Sequence, residues 1–165
     1  MTDTSPGTVP DDLRRTLRRF AGGVTVVTCR VGDIDHAMTA TAVSALSLQP
    51  PLVLVCVSKT ARFNAAISAT NEWALTLLSH DQEAAAVWFA TSGRPLEGQL
   101  DRFPHRRLDS GMAVLDGGLG WIECTRETIV SAGDHDVIVG RVRRTEHSTE
   151  GKPLLYWEGG YHGLD

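Results

Sequence analysis

The sequence reads Met38-Thr-Ala-Thr-Ala-Val-Ser-Ala-Leu-Ser47, then Gln49-Pro50-Pro51, then Leu52-Val-Leu-Val-Cys-Val57, then Ser58-Lys-Thr-Ala-Arg62. The side chains of residues 39–47 are small and often carry a hydroxyl, which predicts a strand that a flat ligand can approach closely. Thr39 and Thr41 are two residues apart and would lie on one face of this strand. Prolines cannot donate ladder hydrogen bonds, so Pro50 and Pro51 end this strand, and the apolar run after them predicts a buried strand. We therefore expect two successive strands, of which the second crosses the core.

Hydroxyls and cations follow the buried strand where a helix is expected to begin: Ser58, Lys59, Thr60 and Arg62. The unpaired N–H groups of a helix start favour anions, so this segment is typical of a phosphate site. The ordinary alternative is that small residues only pack against a neighbour and that the hydroxyl only caps the helix. The adjacency of both features across one strand favours ligand binding.

Size and charge narrow the class of protein. A chain of 165 residues fits one domain, which we expect over residues 11–165 after a disordered tail of residues 1–10. A formal net charge of -4 argues against nucleic acid or an anionic membrane as a partner. The three cysteines have no paired spacing, and neither a signal segment nor a membrane span is evident. We therefore expect a cytoplasmic protein with free thiols.

Hydrophobic periodicity predicts a mainly β protein with a few helices. The helices are expected from about Asp11 to Phe20, over residues 60–70, and from Ser79 to Gly93 with Gln82 completing a capping box. Residues 93–109 lack periodicity, and we expect this loop to border the site or a subunit interface. Strands that follow one another with few helices between them predict an antiparallel barrel. Its strands are expected over residues 24–30, 37–47, 52–57, 73–78, 119–130 and 137–144, with a short one near residues 154–157.

Motifs for several other chemistries are absent from the sequence. There is no G-x-G-x-x-G fingerprint, no P-loop and no G-x-S-x-G elbow. The six histidines lack metal-ligand spacing, and we expect no metal site. His135, between Asp134 and Asp136, is either part of a turn or an imidazole at a loop tip that donates to a ligand or accepts a proton.

In combination, several segments resemble the flavin reductase-like family of FMN-binding split barrels, the reductase components of two-component flavin-dependent monooxygenases. The resemblance extends from Phe20 almost to the end of the chain, and it implies an antiparallel split β-barrel. It is carried by Phe20-Ala-Gly-Gly-Val-Thr-Val-Val-Thr28, Met38 to Val57, Gly133-Asp-His135, Gly140-Arg-Val142, Pro153-Leu-Leu-Tyr156 and Gly160-Tyr161.

The resemblance also implies roles for individual residues. His135 would lie on the nicotinamide side of the flavin ring and would bind and orient NAD(P)H as the catalytic residue. A homodimer is implied, with the first helix and Tyr161 contributing near the site. The ring contacts would come from Met38, Thr39, Ala40, Thr41 and Ser44, and the phosphate contacts from Ser58, Lys59, Thr60 and Arg62.

The expected function is an NAD(P)H:flavin oxidoreductase that reduces FMN or FAD by hydride transfer and passes the reduced flavin to a partner monooxygenase. One alternative is an oxidase of a small substrate that holds its flavin tightly and uses no nicotinamide. Another is a non-catalytic barrel that only binds. The sequence leaves open FMN against FAD and NADH against NADPH.

Overall fold

The computed structural model describes residues 8–164, and its main feature is one antiparallel sheet of seven strands. The strands are β2 (Thr25–Val31), β3 (Ile34–Ala40), β4 (Val43–Leu48), β5 (Pro51–Ser58), β6 (Glu72–Leu77), β9 (Gly120–Ala132) and β10 (His135–His147). Their order across the sheet is β3-β2-β6-β9-β10-β5-β4. The predicted mainly β fold is therefore confirmed.

The two edge strands of this sheet, β3 and β4, follow one another in the chain. Only Thr41 and Ala42 separate them, so the Cα atoms of Ala40 and Val43 lie at most about 11 Å apart. The sheet must therefore curl until its edges approach at this end. Because β3 and β4 are not hydrogen-bonded to each other, the curl stays open along a seam, which is the arrangement of a split barrel.

This arrangement corrects the prediction of a single strand over residues 37–47. The chain leaves β3, which pairs with β2, turns at the exposed Thr41 and Ala42, and enters β4, which pairs with β5. Alternation therefore does not continue from Thr39 to Thr41. The local sequence of both segments is typical of a strand. That they are two strands, β3 and β4, is decided by their different pairing partners.

Within the described part of the chain there are three α-helices, as predicted: α1 (Val9–Leu17), α2 (Arg62–Ala69) and α3 (Glu83–Ala90). The first begins two residues before the expected Asp11, because Pro10 stands at its start, where a missing N–H costs nothing. The expected tail of residues 1–10 lies mostly outside the described residues. A 3₁₀ turn, His80–Gln82, precedes α3, and the N–H of Ser79 donates to Gln82 Oε1 at 3.1 Å, as the capping box requires.

Smaller strands complete the molecule: β1 (Gly22–Gly23), β7 (His105–Arg107), β8 (Ala113–Leu115), β11 (Leu155–Trp157) and β12 (Gly160–His162). Strand β7 pairs with β8, so the loop expected over residues 93–109 is irregular only in part. Within residues 8–164, no helix has both the length and the apolar character needed to cross a membrane.

Strand β2 lies between two apolar clusters, which explains its unbroken β-branched sequence. Val27 and Cys29 face the barrel interior with Trp73, while Val24 and Val26 pack under α3. The helix α3 therefore covers the outside of the sheet beside β3 and places its C-terminal end next to the seam.

Candidate functional site

An apolar groove of about 730 Å³ lies between α1 and the start of β4. The half-buried side chains of Leu54 and Cys56 belong to it, and Thr41 and Ser44 supply hydroxyls. Its volume is in the range of small-ligand sites. The remaining lining residues are Arg14, Leu17, Arg18, Phe20, Gly22, Ala42, Val43, Tyr156, Trp157 and Glu158.

The outer face of β5 continues from this groove toward the start of α2. Val53, Val55 and Val57 are buried, so the alternate residues Leu54, Cys56 and Ser58 point the other way. Across the ladders, Ser44 pairs with Leu54, and His135 pairs with Ser58. Paired residues share a face, so Ser44, the groove, Ser58 and His135 form one continuous surface.

Hydroxyls and a cation meet at the far end of this surface. Ser58 Oγ and Thr60 Oγ1 lie 3.0 Å apart, and Lys59 Nζ donates to the carbonyl oxygen of Gly133 at 2.7 Å. The helix α2 starts just beyond, and its N-cap, Ala61, offers no side-chain acceptor. The first N–H groups of α2 are therefore available to an anion.

His135 is held by its neighbour in the β9–β10 turn. Its Nδ1 lies 2.7 Å from Asp134 Oδ1, which orients the ring, and Nε2 has no hydrogen-bond partner among residues 8–164. The hydrogen bond from His135, with the charges of His135 and Lys59, lowers the pKa of Asp134. The turn thus presents an oriented imidazole beside Ser58, a proximity that follows from the β5–β10 register and that sequence reasoning reached only through the family resemblance.

A second, polar cleft of about 390 Å³ lies on the other side of Thr60, along the free edge of β3. Its lining residues include Met38, His36, Arg62 and Arg94. Sequence reasoning missed His36 and Arg94. Residues 93–109, predicted to border the site or a subunit interface, contribute Gly93, Arg94, Leu96 and Gln99 to the lining of this cleft.

The predicted site residues thus fall into separate groups. Thr41 and Ser44 line the groove, and Met38, Thr60 and Arg62 line the polar cleft. Ser58, Lys59 and His135 lie between the two, and Ser58 Oγ is 3.0 Å from Thr60 Oγ1. Thr39 and Ala40 are engaged elsewhere: Thr39 Oγ1 donates to the carbonyl oxygen of Ala86 at 2.7 Å, and the Ala40 side chain is buried in the barrel. Tyr156 lines the groove, whereas Tyr161 packs edge-on against it at 5.3 Å.

The fold and these surfaces define a class of protein: a split barrel whose outer face suits a flat ring that carries a phosphate. The residues present fit a flavin. Leu54 and Cys56 offer a flat apolar surface, and the free α2 N–H groups lie with Ser58, Lys59 and Thr60 at its end. Among the described residues, no group of three side chains suited to a metal ion is found.

Comparisons with known proteins identify the family. Residues 17–165 match the model of the flavin reductase like domain. The chain is 38% identical to an NADH-dependent flavin reductase of a Rhodococcus species over 100% of this chain and 94% of that protein. It is also 38% identical to the reductase component of 4-hydroxyphenylacetate 3-monooxygenase of Thermus thermophilus, over 92% of this chain and 95% of that protein.

Solved structures agree. BorF, the flavin reductase component of a bacterial two-component tryptophan halogenase, has a TM-score of 0.88 at 36% identity, covering 94% of this chain and 98% of that chain. The NADH:FAD oxidoreductase SgcE6 of Streptomyces globisporus C-1027, in complex with NAD and FAD fragments, has a TM-score of 0.90 at 30% identity, covering 98% of both chains.

The chain therefore belongs to the flavin reductase like domain family. It is an NAD(P)H-dependent flavin reductase, which confirms the fold, the cofactor class and the activity expected from its sequence.

Proposed function

We propose that this reductase holds the flavin ring in the groove against Thr41 and Ser44, with the flavin phosphate at Ser58, Lys59 and Thr60. The continuous outer face of β5 carries the proposal. Residues 54 and 58 of an extended strand lie about 13 Å apart, so a ring at one end and a phosphate at the other can belong to one molecule.

The remaining predicted contacts are assigned to the backbone or side-chain groups of each residue that are not already engaged within the protein. Thr39 and Ala40 contribute backbone groups at the unpaired edge of β3, because their side chains are engaged elsewhere. Met38 and Arg62 act from the polar cleft on the far side of Thr60. The flavin site therefore spans the seam of the barrel.

The bound flavin would supply the redox chemistry by accepting a hydride from the nicotinamide, so the protein needs no strong acid or base. This chain supplies binding and orientation. His135, fixed by Asp134 at 2.7 Å, directs its free Nε2 to the nicotinamide side of the site. A fixed imidazole limits the orientations of the donor, which is how positioning lowers a barrier.

Steady-state oxidation of NADH and NADPH with FMN, FAD and riboflavin tests the phosphate site. Because riboflavin lacks the phosphate, its KM is expected to exceed that of FMN by about tenfold or more. The double substitution Ser58→Ala/Thr60→Ala should close this gap by raising the KM for FMN. The matched control, Thr128→Ala/Ser131→Ala on the exposed β9–β10 hairpin, should leave both values unchanged. Equal KM values for riboflavin and FMN in the natural chain would contradict the site.

Anaerobic mixing of the flavin-loaded protein with NADH or NADPH tests whether a nicotinamide is the electron donor for the flavin. Bleaching of the flavin absorbance is expected with at least one of them. If neither NADH nor NADPH bleached the flavin, the small-substrate oxidase would be the better description.

We also propose that the chain is a homodimer and passes reduced flavin to a flavin-dependent monooxygenase. The relatives from Thermus thermophilus and Rhodococcus jostii carry the names of monooxygenase reductase subunits, which supports such a partner. For the dimer, the support is the exposed apolar face of α1, where Leu13 is 54% and Leu17 57% exposed.

A further inference from the structure

The β9–β10 turn, which presents His135, stands at the weakly supported end of the sheet. Strand β6 pairs with β9 only as far as Thr125, so within the described chain the outer edge of β9 over residues 127–132 has no strand beside it. On the other side, His135 and Ser58 form the last pair of the β5–β10 ladder. The end of a ladder opens most readily, because it has fewer neighbours than the middle. The position of the imidazole therefore depends on contacts besides the ladder.

Beyond the ladder, three hydrogen bonds among residues 8–164 tie this region to the end of β5 and to α2. The N–H of Lys59 donates to the carbonyl oxygen of Asp134 at 2.9 Å, and Lys59 Nζ donates to that of Gly133 at 2.7 Å. The third bond comes from α2, where Asn64 Nδ2 donates to Asp136 Oδ2 at 2.9 Å. Lys59 thus holds the turn itself, and Asn64 holds the start of β10.

The amide of Asn64 spans both strands of one ladder pair. Asp136 pairs with Val57, next to the last pair, and the same Nδ2 lies 3.4 Å from the carbonyl oxygen of Val57. Asn64 and Asp136 are both half-buried, and in the described part of the chain this amide is the only hydrogen-bond donor to the Asp136 carboxylate. A half-buried acceptor that loses its partner must turn to water, because leaving it unsatisfied is costly. The contact therefore opposes opening of the ladder beside His135.

We propose that Asn64 is a positioning residue for hydride transfer and that it acts through His135. The inference rests on the proposed function, in which α2 begins beside the flavin phosphate and His135 orients the nicotinamide. Asp136 shares the inner face of the barrel with buried Val57, so the preceding His135 projects from the outer face. Fixing residue 136 to α2 fixes the backbone from which the imidazole projects. The amide thereby sets the separation between the start of α2 and the imidazole, and hydride transfer depends on such orientation.

Steady-state kinetics at saturating FMN test the role of Asn64. With whichever nicotinamide the natural chain oxidises faster, Asn64→Ala should lower kcat/KM about tenfold or more, because a small displacement of an orienting group is costly. The KM for FMN should stay unchanged.

The matched control is Asn71→Ala, which removes the other asparagine of the chain. Asn71 Oδ1 accepts a hydrogen bond from Arg126 Nη2 at 2.8 Å, at the opposite end of α2 from the proposed phosphate site. This variant should keep the natural kcat/KM for the nicotinamide. An unchanged kcat/KM in Asn64→Ala, or an equal loss in the two variants, would overturn the proposal.

A reciprocal exchange separates this hydrogen bond from a general effect on folding. Asn64→Asp alone sets two carboxylates against each other and should impair use of the nicotinamide as Asn64→Ala does. Adding Asp136→Asn restores one amide and one carboxylate at the same two positions, and kcat/KM should return to within about threefold of the natural value. No recovery in the exchanged pair would overturn the role of the hydrogen bond.

The double variant Asn64→Ala/His135→Ala shows whether Asn64 acts through the imidazole. If it does, Asn64→Ala causes no further loss once the imidazole is gone, so the two losses are not additive. Additive losses would overturn the inference. An impaired His135→Ala beside an unaffected Asn64→Ala would also overturn it and would leave the proposed function standing. An unaffected His135→Ala would instead contradict the proposed role of His135 itself, and the inference with it.

Discussion

Cys56 has a different environment from the other two cysteines. Cys29 and Cys124 are buried in the barrel, and burial, with the nearby carboxylates of Asp35 and Glu123 respectively, raises the pKa of each thiol to about 12. At pH 8 only about one in ten thousand of such thiols is ionised. Cys56 is half-buried and lines the groove. Reactivity at this position therefore reports on the proposed flavin site.

We expect one thiol per native chain to react with a disulfide reagent at pH 8, and bound FMN to slow this reaction. The thiolate is the nucleophile, so Cys29 and Cys124 stay unmodified until the chain unfolds. Thiol absorbance assays with and without FMN measure both effects. Cys56→Ser should abolish the fast reaction, and reaction of several thiols, or no protection by FMN, would contradict the placement of the ring.

At the scale of the elements, the bulge of β10 is packed so closely against its neighbours that it leaves no room for a side chain. Gly140 follows a register shift in the β9–β10 ladder and lies over Trp73. A Cβ added there would stand 2.8 Å from Cys124 Cβ and close against the Trp73 ring. The glycine therefore allows two strands and an indole to pack together inside the barrel.

Gly140→Ala should lower the free energy of unfolding by about 1–3 kcal/mol, the usual cost of overpacking a core. Urea denaturation measures the change, with an unchanged m-value if the native fold is kept. Gly23→Ala is the matched control, since a Cβ at that position meets nothing within 4 Å. Equal stability of the two variants would mean that the barrel interior adapts to the extra methyl group.

At the scale of the whole molecule, α1 is an amphipathic helix with no buried residue. Val9, Leu13 and Leu17 recur every four residues and are all more than half exposed, and Phe20 follows them at 80% exposure. Such a face is typical of a contact with another subunit. Because α1 also borders the groove, the proposed dimer and the proposed flavin site adjoin each other.

Sedimentation should therefore give a mass of about 36 kDa, twice the 17.9 kDa of the chain. Leu13→Glu/Leu17→Glu should produce a monomer, because charges cannot be buried at an apolar contact without a large cost. Arg15→Glu changes the opposite side of α1 and should leave the dimer intact. A monomeric natural chain would refute the interface.

The fold class followed from the sequence, and the proposed phosphate segment was predicted from it, because both depend on local chemistry. Alternating burial, the Pro50-Pro51 break and the Ser79–Gln82 cap are each decided within a few residues. The anion character of Ser58 to Arg62 is likewise a property of a helix start and its flanking side chains.

Pairing partners and loop paths were decided only by the tertiary structure. Residues 37–47 carry one continuous local signal, yet long-range pairing assigns β3 to β2 and β4 to β5 and opens a seam between them. The basic side chains of the polar cleft, His36, Arg62 and Arg94, come from an edge strand, a helix start and an irregular loop. Residues so far apart in the chain become neighbours only because the sheet curls, and no spacing in the sequence encodes that distance.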